Sequence, residues 1–330
     1  MRLVTSLLSI LQIVMLSLVQ AQDIHWSQIH QLQAFQNPAT IGQYEEEIKF
    51  TLAARDQWRS VTKPYQTYLA TFDTKIRKIN WLSLGSIFFT DVTGDGSFKT
   101  NQLDLLAKVE NKINSKFSLS IGVDFGLTNK NINLINFKFD NQFDGFKYNN
   151  TLPTNESFSN TSFNHLTIGA GLSINFKINK YQEINAGLTF NNLNKPKESF
   201  YQLEIIRPIR NTFFISHNYL FQKHLLNSFL SFEKQNSYNK LLIGIIDNQK
   251  LNNLKIHQLH YGLMLRYLDA FILNLGLSYL STRFSLSYDI NTSKLKTASN
   301  GRGSIEINIQ YLLKKKPLTF KTKPSCIDYF

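Results

Sequence analysis

The sequence predicts an all-β protein, a transmembrane antiparallel β-barrel of about 14 strands of the outer-membrane type. Three observations predict it. An export signal opens the chain. About a dozen segments then alternate apolar and polar residues. After the signal, no apolar run reaches the length of a membrane-crossing helix. A bilayer core offers no water to backbone N–H and C=O groups, so only helices or closed sheets cross it. With helices excluded, the closed sheet remains.

The opening element is residues 1–21. Arg2 supplies the basic start, Leu3 to Val19 the apolar middle, and Val19-Gln20-Ala21 the small residues before a cut. Cleavage is expected after Ala21. Ser6, Ser9, Gln12 and Ser17 weaken this segment as a permanent membrane anchor. The longest later apolar runs are short, as in Leu241 to Ile246. The mature length of roughly 310 residues suits about twelve to sixteen crossing strands. An ordinary hydrophobic content of 42% is compatible with this, because a barrel shows only alternate residues to lipid.

Residues 22–47 are polar, carry aromatics and lack a clear period. They are expected to form a periplasmic lead or a plug in the lumen. The strands are expected across 48–313. Ile48, Phe50, Leu52 and Ala54 share one face, with Lys49, Thr51, Ala53 and Arg55 on the other. Phe117 to Phe125 and Leu166 to Phe176 alternate in the same way, with serine, glycine and asparagine in the opposite phase. Phe271 to Tyr279, Phe284 to Ile290 and Ile305 to Tyr311 follow. Period two over about ten residues is the length a tilted strand needs. The small and polar phase is expected to line the lumen.

Turn and loop signals separate these runs: Thr93 to Ser97, Asn149 to Asn164, Asn191 to Glu198, Asp247 to Asn253 and Asn291 to Asn300. The second is the longest polar insertion and is expected outside the cell. Tyr65, Tyr201, Tyr219 and Tyr267 fall at strand ends, as interfacial aromatic girdles require. A soluble β-sandwich also alternates, but with shorter strands that bury their apolar face against a second sheet.

The formal charge is +13. For an exported barrel this points away from nucleic acid and towards anionic lipid or an acidic protein. The basic residues gather only in the tail 314–330, at Lys314, Lys315, Lys316, Lys321 and Lys323. That tail is either a solvated periplasmic end or a docking site for an acidic partner. Cys326 is the single cysteine. It forms no intramolecular disulfide and no zinc cluster.

Catalytic patterns are absent: HExxH, GxSxG and a phosphate loop with its lysine do not occur. His257 and His260 lie three apart in an expected strand and so face opposite sides. Gly94-Asp95-Gly96 lacks the acidic spacing of a calcium loop and reads as a hairpin turn. No enzyme, metal or cofactor is expected. The lumen phase carries Arg55, Asp73, Arg266, Asp289 and Glu306. Arg55 and Asp73 belong to the first two strands, Asp289 and Glu306 to the last two. Closure makes these ends neighbours, so the charges are expected to meet across the seam and to anchor residues 22–47 or a partner's tail. The alternative is a set of solvated lumen charges.

Several blocks, in order, resemble the PorP/SprF family of outer-membrane proteins of the type IX secretion system of Bacteroidetes. The mature start Gln22-Asp23-Ile24-His25-Trp26-Ser27-Gln28 is similar to the family's opening. Asn37-Pro38-Ala39 with Gly42 resembles its NPA–G element. Arg55-Asp56-Gln57-Trp58 resembles its R-x-QW element, and Pro64-Tyr65-Gln66-Thr67-Tyr68 with Asp73 follows. Arg266-Tyr267-Leu268-Asp269-Ala270 resembles a later block. Ser287-Tyr288-Asp289 and Gly301-Arg302-Gly303-Ser304-Ile305-Glu306 resemble the closing strands, and Cys326 the cysteine near the end. The tail departs from the pattern, because Ile327 stands where a proline often follows that cysteine. The resemblance implies an outer-membrane barrel that supports export or surface anchoring of cargo with a type IX sorting domain, including gliding-motility adhesins in one branch. It implies as partners that cargo, other secretion components and outer-membrane lipid. A channel for small hydrophobic or polar solutes is the competing function.

Overall fold

The computed structural model describes residues 24–313, apart from 60–62, 95–97, 135–136, 157–159, 201–204, 254 and 294–295. The export signal, Tyr201, most of the Thr93–Ser97 turn and the tail with its lysines and Cys326 lie outside the described residues.

The strands are β1 (Ile48–Gln57), β2 (Tyr65–Lys75), β3 (Leu82–Thr93), β4 (Phe98–Lys112), β5 (Phe117–Asn131), β6 (Ser162–Asn179), β7 (Gln182–Asn191), β8 (Lys197–Glu198), β9 (Ile205–Ile206), β10 (Arg210–Phe221), β11 (His224–Gln235), β12 (Tyr238–Lys250), β13 (Ile256–Arg266), β14 (Ala270–Tyr279), β15 (Thr282–Asn291) and β16 (Arg302–Leu313). All but β8 and β9 join one closed antiparallel barrel of 14 strands. β8 and β9 pair with each other in the loop before β10. Closure is β1 against β16, from Ile48 opposite Leu313 to Gln57 opposite Ser304. A sandwich has no such pairing, so that alternative falls. Closure also leaves no unpaired strand edge in lipid.

The alternation sets the two faces. In β1, Phe50 and Leu52 face outward while Lys49, Thr51, Ala53 and Arg55 are buried inside. In β5, Ile121, Val123 and Phe125 are exposed while Ser120 and Asp124 are buried. The inner face is not polar throughout, as the sequence leads one to expect. Leu69, Ile87, Phe89, Leu106, Leu242, Ile246, Met264 and Ile272 point inward and pack with Trp26, Ile29, Leu32, Ala34 and Ile41. The Leu241–Ile246 run has a physical reason here. Its outward residues meet lipid and its inward ones meet a dry core, so both phases are apolar.

Other boundaries differ from expectation. β12 continues to Lys250, so Asp247 to Lys250 are strand and not turn. The longest insertion begins after Asn131, and β6 already starts at Ser162. β6 has 18 residues, well beyond the ten a crossing needs, and carries the sheet out of the bilayer. A register shift falls at His257 between Ile256 and Gln258. His260 is buried in the lumen between Asn248 and Ser278, 2.7 Å from each.

The end that carries the start of β1 and the end of β16 has short connections, at 76–81, 113–116, 180–181, 222–223, 251–255 and 280–281. The opposite end carries the long ones, at 132–161, 192–209 and 292–301. In outer-membrane barrels short turns face the periplasm and long loops the exterior. Trp81, Ile113, Tyr181, Phe221, Tyr279 and Leu280 are exposed at the short-turn end, where an aromatic and aliphatic belt meets the interface.

Candidate functional site

Residues 24–47 run through the lumen. The segment starts near the long-loop end, beside the last residues of β13 and β15, and reaches the short-turn end where β1 begins. It holds a single helical turn, α1 (Gln33–Gln36), then a 3-10 turn at Pro38–Thr40. Trp26, Leu32, Asn37, Ala39 and Ile41 are almost fully buried. Three fastenings hold it.

The first is at the seam. Arg55 stands opposite Glu306 across the closure. Its guanidinium bonds Glu306 and Asp289, each at 3.2 Å. Arg266 bonds Asp289 at 3.0 Å and Asp269 at 2.8 Å. The hydroxyl of Ser27 sits between them. It accepts from Arg55 Nη1 and Arg266 Nη2, each at 2.6 Å, and donates to Asp289 at 2.8 Å. The backbone N–H groups of Ser27 and Gln28 donate to the two oxygens of Glu306 at 2.8 and 2.9 Å. Arg55 and Arg266 thus pair with the buried Asp289 and Glu306 within the wall, Asp269 adds a third, partly exposed carboxylate at the edge, and the luminal segment completes the bonding. Buried charges need such pairing and hydrogen bonding to be tolerated. Gln28 and Gln31 extend the clamp to Ser285, and Gln310 donates to the Gln31 carbonyl.

The second fastening is the NPA turn. Asn37 Oδ1 accepts from Ala39 N at 2.8 Å and caps the 3-10 turn. Its Nδ2 donates to the carbonyls of Leu172 and Leu188 on β6 and β7. The turn lies against glycines of three consecutive strands. A Cβ at Gly122 would stand 2.4 Å from Ala39 N, one at Gly171 2.0 Å from Asn37 Oδ1, and one at Gly187 2.9 Å from Asn37 Nδ2. Glycine in a strand interior often marks such a backbone approach.

The third is at the short-turn end. Gly42, at φ +68, donates its N–H to Asp73 at 2.8 Å. Tyr44 donates to the Asp73 carbonyl at 2.7 Å, and Lys49 lies 3.8 Å from the Asp73 carboxylate.

The site residues expected from sequence therefore divide. Arg55, Arg266, Asp269, Asp289 and Glu306 meet at the seam. Asp73 does not. It lies opposite Lys49, and Arg55 is six residues further along β1, about 20 Å at 3.3 Å per residue. Asn37, Pro38, Ala39 and Gly42 belong to the luminal segment. Ala270 is fully buried behind the seam. Gln57 ends β1, and Trp58 N donates to the Gly303 carbonyl while its ring meets Tyr65 edge-on at 4.8 Å. Gly301, at φ +75, turns the chain into β16, and Gly303 lies close against Asp289. Tyr68 faces outward into the apolar surface, not into the lumen. Sequence reasoning missed the clamp formed by Ser27 and Gln28 and the glycine seat at 122, 171 and 187. Glycines in the lumen phase of three successive strands were the available sign of that seat.

Among the cavities along the luminal segment that the described residues line, two are sizeable. One of about 330 Å³ opens towards the long-loop end beside Ile24, Ala34 and Phe35. The other, of about 610 Å³, lies towards the short-turn end beside Gln33, Gly42 and Tyr44. Among the described residues no group of three or more His, Cys, Asp or Glu side chains is arranged to hold a metal ion.

The sequence matches the profile of the type IX secretion system membrane protein family PorP/SprF over residues 18–311. No curated protein matches it. Solved barrels share the fold at low identity. The Ralstonia pickettii toluene transporter TbuX is 12% identical, with 85% of this chain and 93% of that one covered and a TM-score of 0.52. A Pseudomonas aeruginosa FadL homologue is 11% identical, with 84% and 93% covered and a TM-score of 0.52. The Pseudomonas putida toluene transporter TodX is 11% identical, with 85% and 93% covered and a TM-score of 0.50.

Proposed function

Because the chain belongs to the PorP/SprF family of type IX secretion system membrane proteins, we propose that this outer-membrane barrel supports cargo export by holding exported proteins at the cell surface. The family and the closed barrel together make it an outer-membrane component of that system. The finer reading is binding, not catalysis. A cargo's terminal sorting domain engages the long loops, and the basic tail contacts other secretion components on the periplasmic side. Gliding-motility adhesins are among the cargo classes this reading covers.

The observation that carries it is the luminal segment. Residues 24–47 are clamped at the seam, seated on glycines at mid-height and tied to Asp73 below. A lumen filled in this way suits an anchor that holds its cargo outside. The competing reading is a channel for small solutes. It draws on the two cavities and on the toluene-transporter barrels, whose likeness is of fold alone.

Planar bilayers and native-membrane purification separate the two. The isolated protein is expected to carry no steady current, and a large exported protein is expected to co-purify with it. A steady current through the isolated barrel, with no exported protein bound, would favour the channel.

A further inference from the structure

We propose that the cavity at the long-loop end is a binding site for an organic cation, a primary ammonium or guanidinium carried on an apolar body. Its acceptors are Asp104, Asp124 and Thr167. The site lies apart from the seam, and the inference is independent of the secretion reading.

The wall is built by register. Asp104 stands opposite Gly126, Gly126 opposite Thr167, and Asp124 opposite Gly169. These inward residues form a ladder across β4, β5 and β6. The glycines make room for the oxygens. A Cβ at Gly126 would lie 2.2 Å from both Asp104 Oδ1 and Thr167 Oγ1, and one at Gly169 1.9 Å from Asp124 Oδ1. Asp124 is only 7% exposed and lines the cavity, yet its Oδ1 has no hydrogen-bond partner among the described residues. Thr167 Oγ1, 4% exposed, has none either. Asp104 receives two bonds from Gln102 Nε2 and no salt bridge is formed to it among the described residues. Asp91, the third carboxylate of the cavity, is occupied by Thr67 at 2.6 Å.

Two carboxylates as diagonal neighbours on one buried wall repel one another, and an unpartnered buried carboxylate oxygen carries a desolvation cost. A bound cation relieves both. The remaining lining decides what kind. Phe35, Phe89, Phe98 and Phe200 supply apolar and aromatic surface, which favours an organic cation over a hydrated inorganic one. Four basic side chains also line the cavity. Lys130 and Arg207 contact Glu198, Arg210 bonds Asn191 and lies over the Phe35 ring, and Lys99 is exposed at the start of β4. Arg207 and Arg210 act through space on Asp104, and Arg210 on Asp124, but among the described residues none of the four forms a salt bridge to either carboxylate. The volume of about 330 Å³ matches a single long side chain or a small amine.

The ammonium can be free or borne on a peptide, and the test separates these sources. The mature protein in detergent is titrated calorimetrically with n-butylammonium, with a capped Phe-Lys dipeptide amide, and with their uncharged N-acetylated counterparts. Binding of at least one charged probe is expected, with the uncharged forms at least tenfold weaker. Tighter binding of the dipeptide marks a peptide side chain as the source; tighter binding of n-butylammonium marks a free amine. Asp124→Asn is expected to weaken the charged probe tenfold or more. Gly169→Ala, which keeps every charge and fills the cradle, is expected to do the same. Both variants are first checked for heat-resistant compact migration on a gel; should one fail it, the other is read alone, and Asp104→Asn is added. Equal binding of charged and uncharged probes, no binding of either charged probe, or unchanged affinity in folded variants would overturn the proposal.

Discussion

Arg55→Ala is expected to destabilise the barrel by about 3–5 kcal/mol, the usual cost of removing one partner from a buried ion pair. The guanidinium bonds Asp289, Glu306 and the Ser27 hydroxyl at once, and all of these groups are buried. Alanine leaves Asp289 and Glu306 with Arg266, which also serves Asp269, as the cation bonded there among the described residues. The damage spans both the β1–β16 closure and the luminal segment, because Glu306 alone holds the N–H groups of Ser27 and Gln28. The temperature at which the folded band loses its compact migration should fall sharply, and residues 24–47 should become open to protease. Arg59→Ala serves as the control. Arg59 pairs with Asp56 at 2.6 Å, but its side chain is 75% exposed and solvent screens the pair, so its loss should leave the melting of the folded band unchanged. Equal behaviour of the two variants would mean that the seam network does not hold the segment.

Gly122→Ala should act at a different place with a comparable effect. One methyl group there would enter the backbone of the NPA turn, 2.4 Å from both Ala39 N and the Pro38 carbonyl carbon. Overpacking against side chains that can yield costs about 1–3 kcal/mol. Here the obstacle is main chain wedged between β4, β5 and β6, so the turn must leave its seat. The expected result is a barrel that still forms, because the outer alternation is untouched, with a displaced luminal segment. In planar bilayers it should then pass current where the unaltered protein does not. Gly145→Ala is the comparison. Gly145 has φ +97 and open space around it, so its replacement strains one loop residue and leaves the lumen closed. A Gly122→Ala protein as silent and as protease-resistant as the parent would contradict the seating.

The two substitutions also mark what was legible in the sequence. The outer face was largely written, since lipid favours an apolar residue at alternate positions and the chain supplies Phe50, Ile121, Leu166, Leu275 and Ile307, with exceptions such as Ser86 and Ser228. The seam was legible because closure follows from the barrel, and Arg55 and Glu306 sit at matching distances from the two chain ends of the sheet. The luminal segment was legible only as one of two readings, a plug or a periplasmic lead, and its fastenings were not legible beyond the seam charges. Its contacts join residues more than two hundred positions apart, as between Ser27 and Asp289, and no local period records them. The inward Leu242, Ile246 and Ile272 were equally hidden. An apolar residue facing a plug and one facing lipid look alike in sequence, so only the doubled apolar phase of Leu241 to Ile246 hinted at a dry interior. Asp73 was placed in the seam because alternation fixes which way a side chain points but not its height along the strand.

The account rests on residues 24–47 occupying the lumen of a closed barrel. Cysteines at Asn37→Cys and Gly171→Cys, in a Cys326→Ser background, test this directly. The Gly171 Cβ position lies 3.0 Å from the Asn37 Cγ, so the two Cβ atoms are at most about 4.5 Å apart, within the reach of a disulfide. Mild oxidation of outer membranes should form the bridge readily and raise the barrel's unfolding temperature. Two thiols that stay reduced and both react freely with a maleimide would contradict the seated segment.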